Sequence, residues 1–170
     1  MVKTILNDFT ENTYIINEQR DCFIIDPGTN FEDIVSYITN KEFKVLGVLL
    51  THGHFDHIYS LNDIVKKYQA PVYIHENERD FLFDPNLNLS GMTHKKFILK
   101  DKQIVSTITN KDKLKLGIET IKIIETPGHT RGGVCYHYKN SLFSGDTLFK
   151  GSIGRYDLPT ANKTHIERSV

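Results

Sequence analysis

Residues 51–57 read Thr-His-Gly-His-Phe-Asp-His and place three imidazoles and a carboxylate directly after the apolar run Val45–Leu50. Imidazole nitrogen and carboxylate oxygen are the ligand atoms that zinc, iron and manganese take in proteins. Groups of this kind so close together would resist burial unless a cation neutralised them. A strand that ends in a tight loop can aim several of them at one point. A lone histidine is most often structural, but this cluster predicts a metal site at a strand end.

Two later segments also present a ligand-type side chain where an apolar run ends. His129 follows a Pro-Gly turn in the segment 125–130, and Asp146 stands beside a glycine in Ser144-Gly145-Asp146-Thr147. Neither residue alone would indicate a ligand. Together with the first motif, they favour metal binding at the rim of a sheet.

The rest of the chain alternates short β runs with amphipathic helical patterns, which indicates an α/β fold in one domain, residues 1–170. Asn30 is expected to cap the first helix. The predicted strands are Tyr14–Asn17, Cys22–Asp26, Val45–Leu50, Pro71–His75, Lys113–Leu116, Glu119–Glu125, Val134–Tyr138 and Leu142–Phe143, and the predicted helices are 31–38, 58–68, 76–83 and 162–170. Between them, residues 86–102 form a long polar segment that either lies over the site or is a surface insertion.

Composition narrows the class of protein. Lys plus Arg and Asp plus Glu each number 21, so the net charge is zero and a dedicated nucleic-acid binder is not expected. No apolar run reaches the roughly 20 residues that a membrane helix needs, and the N-terminus turns polar too soon for a signal peptide. Cys22 and Cys135 lie inside apolar runs and are expected to be buried, reduced thiols. These features predict a cytoplasmic protein, and the oligomeric state stays open.

The three motifs in this order resemble those of the metallo-β-lactamase-fold hydrolases. The segment Gly145–Pro159, which reads Gly-Asp-Thr-Leu-Phe-Lys-Gly-Ser-Ile-Gly-Arg-Tyr-Asp-Leu-Pro, is similar to the glyoxalase II-like, or hydroxyacylglutathione hydrolase-like, branch. The resemblance covers nearly the whole chain. It implies an αββα sandwich of two mixed sheets flanked by helices, with the metals at one edge.

Carried over by position, the resemblance implies two divalent metals, with zinc expected and iron or manganese as alternatives. His52, His54 and His129 would hold the first metal, Asp56 and His57 the second, and Asp146 would bridge both. Asp56 would also belong to the catalytic machinery. The metals would generate a hydroxide that attacks a thioester or another acyl carbon, without a serine or cysteine nucleophile.

The resemblance is incomplete at the C-terminus. Members of the family normally continue to a further Pro-Gly-His loop, whose histidine completes the second metal site, whereas this sequence ends at Val170. The expectation is therefore a fragment of a longer protein or an incomplete second site. His165 is the one histidine after Asp146, and its place in a predicted helix makes it a poor substitute.

For substrate binding, the loop after Asp146 offers Arg155, Tyr156 and Lys150, of which Arg155 suits a carboxylate best because its guanidinium pairs bidentately. Asp26 is a candidate to hydrogen-bond a ligand histidine. The expected function is a glyoxalase II-type hydrolase of S-lactoylglutathione or a related acyl thiol.

Two alternatives to this function stay open. The first is a mononuclear iron persulfide dioxygenase of the same fold, which would use His52, His129 and Asp146. The second is a metal-binding module without catalytic activity. A β-lactamase fits less well, because those enzymes usually place a cysteine where Asp146 stands.

Overall fold

The computed structural model describes residues 1–6 and 11–170. A six-stranded sheet runs in the order β1-β2-β3-β4-β5-β6, in which the first three strands are antiparallel and β3 to β6 are parallel. Its strands are β1 Val2–Leu6, β2 Asn12–Glu18, β3 Asp21–Ile25, β4 Lys44–Leu49, β5 Val72–His75 and β6 Val105–Ile108. The helices α1 Phe31–Asn40, α2 Phe55–Ile58 and α3 Leu61–Tyr68 lie in the connections between these strands.

A second sheet of four strands has the order β10-β9-β8-β7, and each neighbouring pair in it is antiparallel. Its strands are β7 Leu114–Leu116, β8 Glu119–Glu125, β9 Val134–Tyr138 and β10 Ser141–Phe143. A small hairpin, β11 Leu148–Phe149 with β12 Ser152–Ile153, follows, and α4 Lys163–Ser169 comes last. Pro127 and Gly128 pack against this helix, since Ser169 donates a hydrogen bond to the Pro127 carbonyl.

The alternation of side chains along the central strands builds two apolar cores. In β3, Cys22 and Ile24 face α1 and α3, whereas Phe23 and Ile25 face the second sheet. In β4, Val48 faces the helices and Leu49 faces the second sheet. A strand that is buried on both faces needs a continuous apolar run, which is what the sequence supplies. The predicted α/β sandwich of sheets flanked by helices is therefore confirmed.

Most of the predicted elements are present, with local differences. The helix predicted over 58–68 is two helices, because Ser60 leaves the helical conformation between them and its hydroxyl donates to the Thr29 carbonyl. The helix predicted over 76–83 is a 3-10 helix, Glu76–Leu82. Asn30 stands at the start of α1, but its side chain makes no capping hydrogen bond.

The segment 86–102 packs beside the first motif. The Asn88 side chain donates to the carbonyls of Phe81 and Phe97, and the Asn88 carbonyl accepts a hydrogen bond of 2.9 Å from the Phe55 amide at the start of α2. A short 3-10 helix, Ser90–Met92, follows. The segment is therefore an ordered wall next to residues 51–57.

Within the part of the chain that the structure describes, none of the helices has the length and apolar character that crossing a membrane requires. Cys22 and Cys135 are both buried free thiols, as the sequence predicts.

Candidate metal centre

Four strand ends meet at one edge of the sandwich and position the predicted ligands. The first motif follows β4, His129 follows β8 and Asp146 follows β10. Main-chain hydrogen bonds tie these ends together: the Asp26 amide after β3 donates to Leu49, and the Val134 amide donates to Thr51. Side chains from both sheets thereby converge on one volume.

His52, His54 and His129 turn three ring nitrogens toward one another. The Nε2 atom of His52 lies 3.1 Å from Nδ1 of His54, which lies 3.0 Å from Nε2 of His129. All three residues are buried. Separations of this size suit nitrogens that share one divalent ion at roughly 2.0–2.1 Å from each. The donor set thus fits the metal that the resemblance implies.

A second group of donors lies next to the first. His57 Nε2 is 3.2 Å from Oδ1 of Asp146, and the other carboxylate oxygen of Asp146 is 3.4 Å from His129 Nε2. Asp56 is more exposed, and its Oδ2 lies 3.9 Å from His57 Nε2. The carboxylate of Asp146 therefore stands between the two groups of ligand atoms. His52, His57 and Asp146 also offer donor atoms within 4.8 Å of one another.

Hydrogen bonds behind the ligands fix which ring nitrogen faces the centre. His57 Nδ1 lies 3.0 Å from the Asp26 carboxylate, which also accepts from the amide and the hydroxyl of Thr51 at 2.8 and 2.6 Å. His129 donates from Nδ1 to the Arg155 carbonyl at 2.8 Å. When a histidine is neutral and its one proton is on Nδ1, such a bond leaves Nε2 with a lone pair toward the centre, which is the form that binds a metal. The suggestion that Asp26 hydrogen-bonds a predicted ligand histidine is confirmed by this contact.

The electrostatic surroundings of the histidines differ. Burial lowers the pKa of His52 well below its usual value and lowers the pKa of His54 to about 3, and neighbouring histidines add to both effects. Burial also opposes the charged form of His57, but hydrogen bonds to Asp146 and Asp26 outweigh it and raise the pKa well above its usual value. The neutral rings of His52 and His54, beside a position that favours positive charge, are suited to a cation.

The three predicted substrate-binding residues lie in different places. Lys150 lines a cavity of about 220 Å³ together with His57 and Asp146. The guanidinium of Arg155 instead pairs bidentately with Asp157 at 2.8 and 2.9 Å, on the surface. Tyr156 is exposed, and Lys163 lies over its ring. Of the three, Lys150 is the residue that shares a cavity with predicted ligands.

The sequence analysis missed a buried carboxyl group that joins two ligand loops. Glu78 is 0 % exposed and accepts hydrogen bonds from the amides of Gly53, at 3.0 Å, and Gly132, at 2.9 Å. Gly53 lies between His52 and His54, and Gly132 follows His129 by three residues. A glutamate in the middle of a short helical pattern is usually solvated, so nothing in the local sequence indicates that Glu78 is buried.

Comparisons with known proteins agree with this geometry. A family model described as the metallo-beta-lactamase superfamily matches residues 6–169. A probable metallo-hydrolase of Bacillus subtilis is 38% identical over 161 residues, which cover 94% of this chain and 76% of that protein. A hydroxyacylglutathione hydrolase of Buchnera aphidicola is 33% identical over 157 residues, 91% of this chain and 54% of that protein.

The architecture is similar to that of a solved relative. The crystal structure of the B3 metallo-beta-lactamase BLEG-1 superposes with a TM-score of 0.90 at 36% sequence identity, and the match covers 99% of this chain and 83% of that one. The family match over nearly all of the sequence, the sandwich fold and the histidine-rich edge lead to one conclusion. The chain belongs to the metallo-beta-lactamase superfamily, whose fold binds divalent metals.

Proposed function

We propose that this chain is a metal-dependent hydrolase that cleaves a thioester of glyoxalase II type, such as S-lactoylglutathione or a related acyl thiol. The observation that carries the proposal is the position of Asp146, whose two carboxylate oxygens face His57 and His129 respectively. His52, His54 and His129 would hold one metal, Asp56 and His57 would hold a second, and Asp146 would contribute to both sites. When bound, such metals supply a water of lowered pKa and a Lewis acid for the acyl oxygen.

The protein's own residues bind and orient the reacting groups. Asp26 and the Arg155 carbonyl hold the Nδ1 protons of His57 and His129, so that their Nε2 atoms stay directed into the centre. The cavity beside His57 and Asp146, which Tyr14, Phe149 and Lys150 also line, has room for a small acyl group. Lys150 supplies a cation there for an oxygen of that group.

The cysteines do not supply the nucleophile in this proposal. Burial raises the pKa of the Cys135 thiol, and burial raises the pKa of Cys22 to about 12. Only a thiolate is a good nucleophile, and these surroundings keep both groups protonated at neutral pH. Hydrolysis by an activated water needs neither of them.

The proposal is tested by comparing metal-free and metal-loaded protein with S-lactoylglutathione. We expect hydrolysis only in the loaded protein. We also expect Asp146→Asn to lower kcat/KM by about a hundredfold or more, because an amide nitrogen that cannot bind a metal replaces one carboxylate oxygen. Asp33→Asn, on the exposed side of α1, is the matched control and leaves kcat/KM unchanged.

Two further substrates distinguish metal-dependent thioester hydrolysis from the alternative activities. Equal thioester hydrolysis with and without metal would contradict the proposal. Oxygen uptake with glutathione persulfide by iron-loaded protein would instead indicate the dioxygenase. The likeness to a B3 metallo-beta-lactamase makes a chromogenic cephalosporin a necessary third substrate, and turnover of it above that of the thioester would assign amide hydrolysis.

A further inference from the structure

A groove opens on the side of the metal centre that Asp56 occupies. It has a volume of about 500 Å³ and lies between the helices α2 and α3 and the extended segment 95–100. A smaller cavity, lined by Asp56, continues from it and shares Phe55, Tyr59 and Lys95 with it. Because Asp56 is also 3.9 Å from His57 Nε2, the groove reaches the edge of the candidate metal centre. We call it the lysine groove.

The lysine groove combines an apolar floor with a cationic rim. Phe55 and Tyr59 form the floor, and Lys95 places its Nζ atom 4.3 Å from the centre of the Tyr59 ring, a cation–π contact that orients the ammonium group. Lys96 and Lys100 line the same groove. An organic anion with an apolar or peptide stem suits this combination.

The charges that face the groove are unequal. Its lining contains three lysines and one carboxylate, Asp63, while Asp56 lies at the metal end. Over residues 1–6 and 11–170, no ion pair involves Lys95, Lys96 or Lys100. Their ammonium groups are therefore available to a ligand, unlike the guanidinium of Arg155, which Asp157 engages.

The lysine-bearing wall is held in place before any ligand binds. Phe97 and Leu99 are buried in the core, so the alternation of an extended chain turns Lys96 and Lys100 outward. Asn62 on α3 donates to the Ile98 carbonyl at 3.1 Å and accepts from the Lys100 amide at 3.0 Å. A site whose wall is already ordered loses less entropy when it binds a ligand.

We propose that the lysine groove binds the carboxylate-bearing thiol portion of the thioester substrate, as in a glutathione-like peptide thiol. The inference rests on the proposed function and adds the site that holds the thiol portion of the substrate. With the acyl carbon at the metals, the acyl group lies toward Lys150 and the thiol portion extends past Asp56 along the groove. The carboxylates of that portion pair with Lys95 and Lys96, and its stem lies on Phe55 and Tyr59. A volume of about 500 Å³ is ample for a tripeptide.

The test is the double variant Lys95→Ala/Lys96→Ala in metal-loaded protein, measured with S-lactoylglutathione and with an uncharged acyl thioester of N-acetylcysteamine. We expect kcat/KM for the charged thioester to fall by about tenfold more than for the uncharged one, mainly through KM. The control, Lys41→Ala/Lys44→Ala, removes two exposed lysines, one from the turn before β4 and one from its first residue, and affects both substrates equally. Equal losses for both substrates in the Lys95/Lys96 variant would overturn the proposal.

An acyl-coenzyme A and a binding experiment complete the test. A loss confined to acyl-coenzyme A would assign the groove to phosphates and overturn the carboxylate assignment. Binding of S-methylglutathione, a thioether that cannot be hydrolysed, is measured by calorimetry and by NMR shifts at Phe55 and Lys95. If the double variant weakens this binding by about tenfold, the result supports the lysine groove as the binding site. If no thioester is hydrolysed as well, only the proposed function fails. An unchanged dissociation constant in the variant would contradict it.

Discussion

The carboxylate of Asp26 accepts three hydrogen bonds behind the predicted ligands, two from Thr51 and one from His57. Its backbone has a φ of +48°, a conformation that asparagine and aspartate adopt more readily than other non-glycine residues. Asparagine can therefore replace it without changing the turn. The substitution Asp26→Asn removes the negative charge and replaces one acceptor oxygen by an amide nitrogen, while the size of the side chain stays the same.

We expect Asp26→Asn to weaken metal binding at the site of Asp56 and His57 by about 10- to 100-fold. The reason is that the amide no longer supports the Nδ1 proton of His57. The affinity of the site formed by His52, His54 and His129 should change much less. Competition titration with a chromogenic chelator measures both affinities, and Asp33→Asn serves as the control. Unchanged affinities for both metals would show that Asp26 supports the turn alone.

At the residue scale, the sequence could predict side chains whose identity and neighbours already signal metal binding. His52, His54 and His57 stand in one heptapeptide, and the structure indeed brings them to one point. The position of Arg155 could not be predicted in the same way. Its guanidinium can pair with any nearby carboxylate, and Asp157, two residues away, lies closest in the chain.

At the scale of the elements, the 3-10 helix Glu76–Leu82 supports two loops of the candidate centre. Glu78 on it accepts from the amides of Gly53 and Gly132, and so fastens the loop of His52 and His54 to the loop of His129. The Phe81 side chain packs so closely on Gly53 that an added Cβ there would lie 2.4 Å from the Cβ of Phe81. A side chain at position 53 would therefore separate the helix from the ligand loop.

The pH dependence of stability should reveal Glu78. Burial, only partly opposed by hydrogen bonds from the amides of Gly132 and Gly53, raises its pKa to about 7. A carboxyl group with a raised pKa stabilises the fold fully below its unfolded value near 4.5, and this contribution is lost as the pH rises through 7. Between pH 5 and pH 8, metal-free protein should lose roughly 1 to 3 kcal/mol relative to Glu78→Gln.

Urea denaturation at several pH values measures this difference, with Glu32→Gln on the exposed side of α1 as the control. Parallel pH profiles for wild type and Glu78→Gln would mean that the carboxyl group titrates normally.

The sequence could not predict the role of the 3-10 helix Glu76–Leu82, because a 3-10 helix and a short α-helix share one apolar pattern. The sequence could not predict the interruption of the helix at Ser60 either, because the Ser60 hydroxyl donates to the carbonyl of Thr29, which is far away in the chain.

At the scale of the whole molecule, the candidate metal centre joins the two sheets. His52, His54 and His57 extend from the six-stranded sheet, whereas His129 and Asp146 follow strands of the four-stranded sheet. Tyr136 adds a hydrogen bond between the sheets at this edge, from its hydroxyl to the Leu50 carbonyl at 2.9 Å. A metal that was held by all of these residues would bind only the folded sandwich.

Removal of metal by a chelator should therefore lower Tm, and added zinc should raise it again with the logarithm of the free zinc concentration. Free zinc at about 1,000 times its Kd stabilises the fold by about 4 kcal/mol. Differential scanning calorimetry measures the shift. Calcium, which prefers sites made of oxygen ligands, is the control ion and should leave Tm unchanged. An identical Tm with and without zinc would contradict a centre that spans both sheets.

The hydrogen bond from His129 to position 155 goes to the main-chain carbonyl. Every amino acid has that oxygen, so the path of the backbone orients the predicted ligand His129, whichever side chain stands at position 155. The loop can accordingly exchange its side chains during evolution while the centre keeps its geometry. Side-chain substitutions at residues 155–157 should therefore leave the orientation of the His129 ring unchanged.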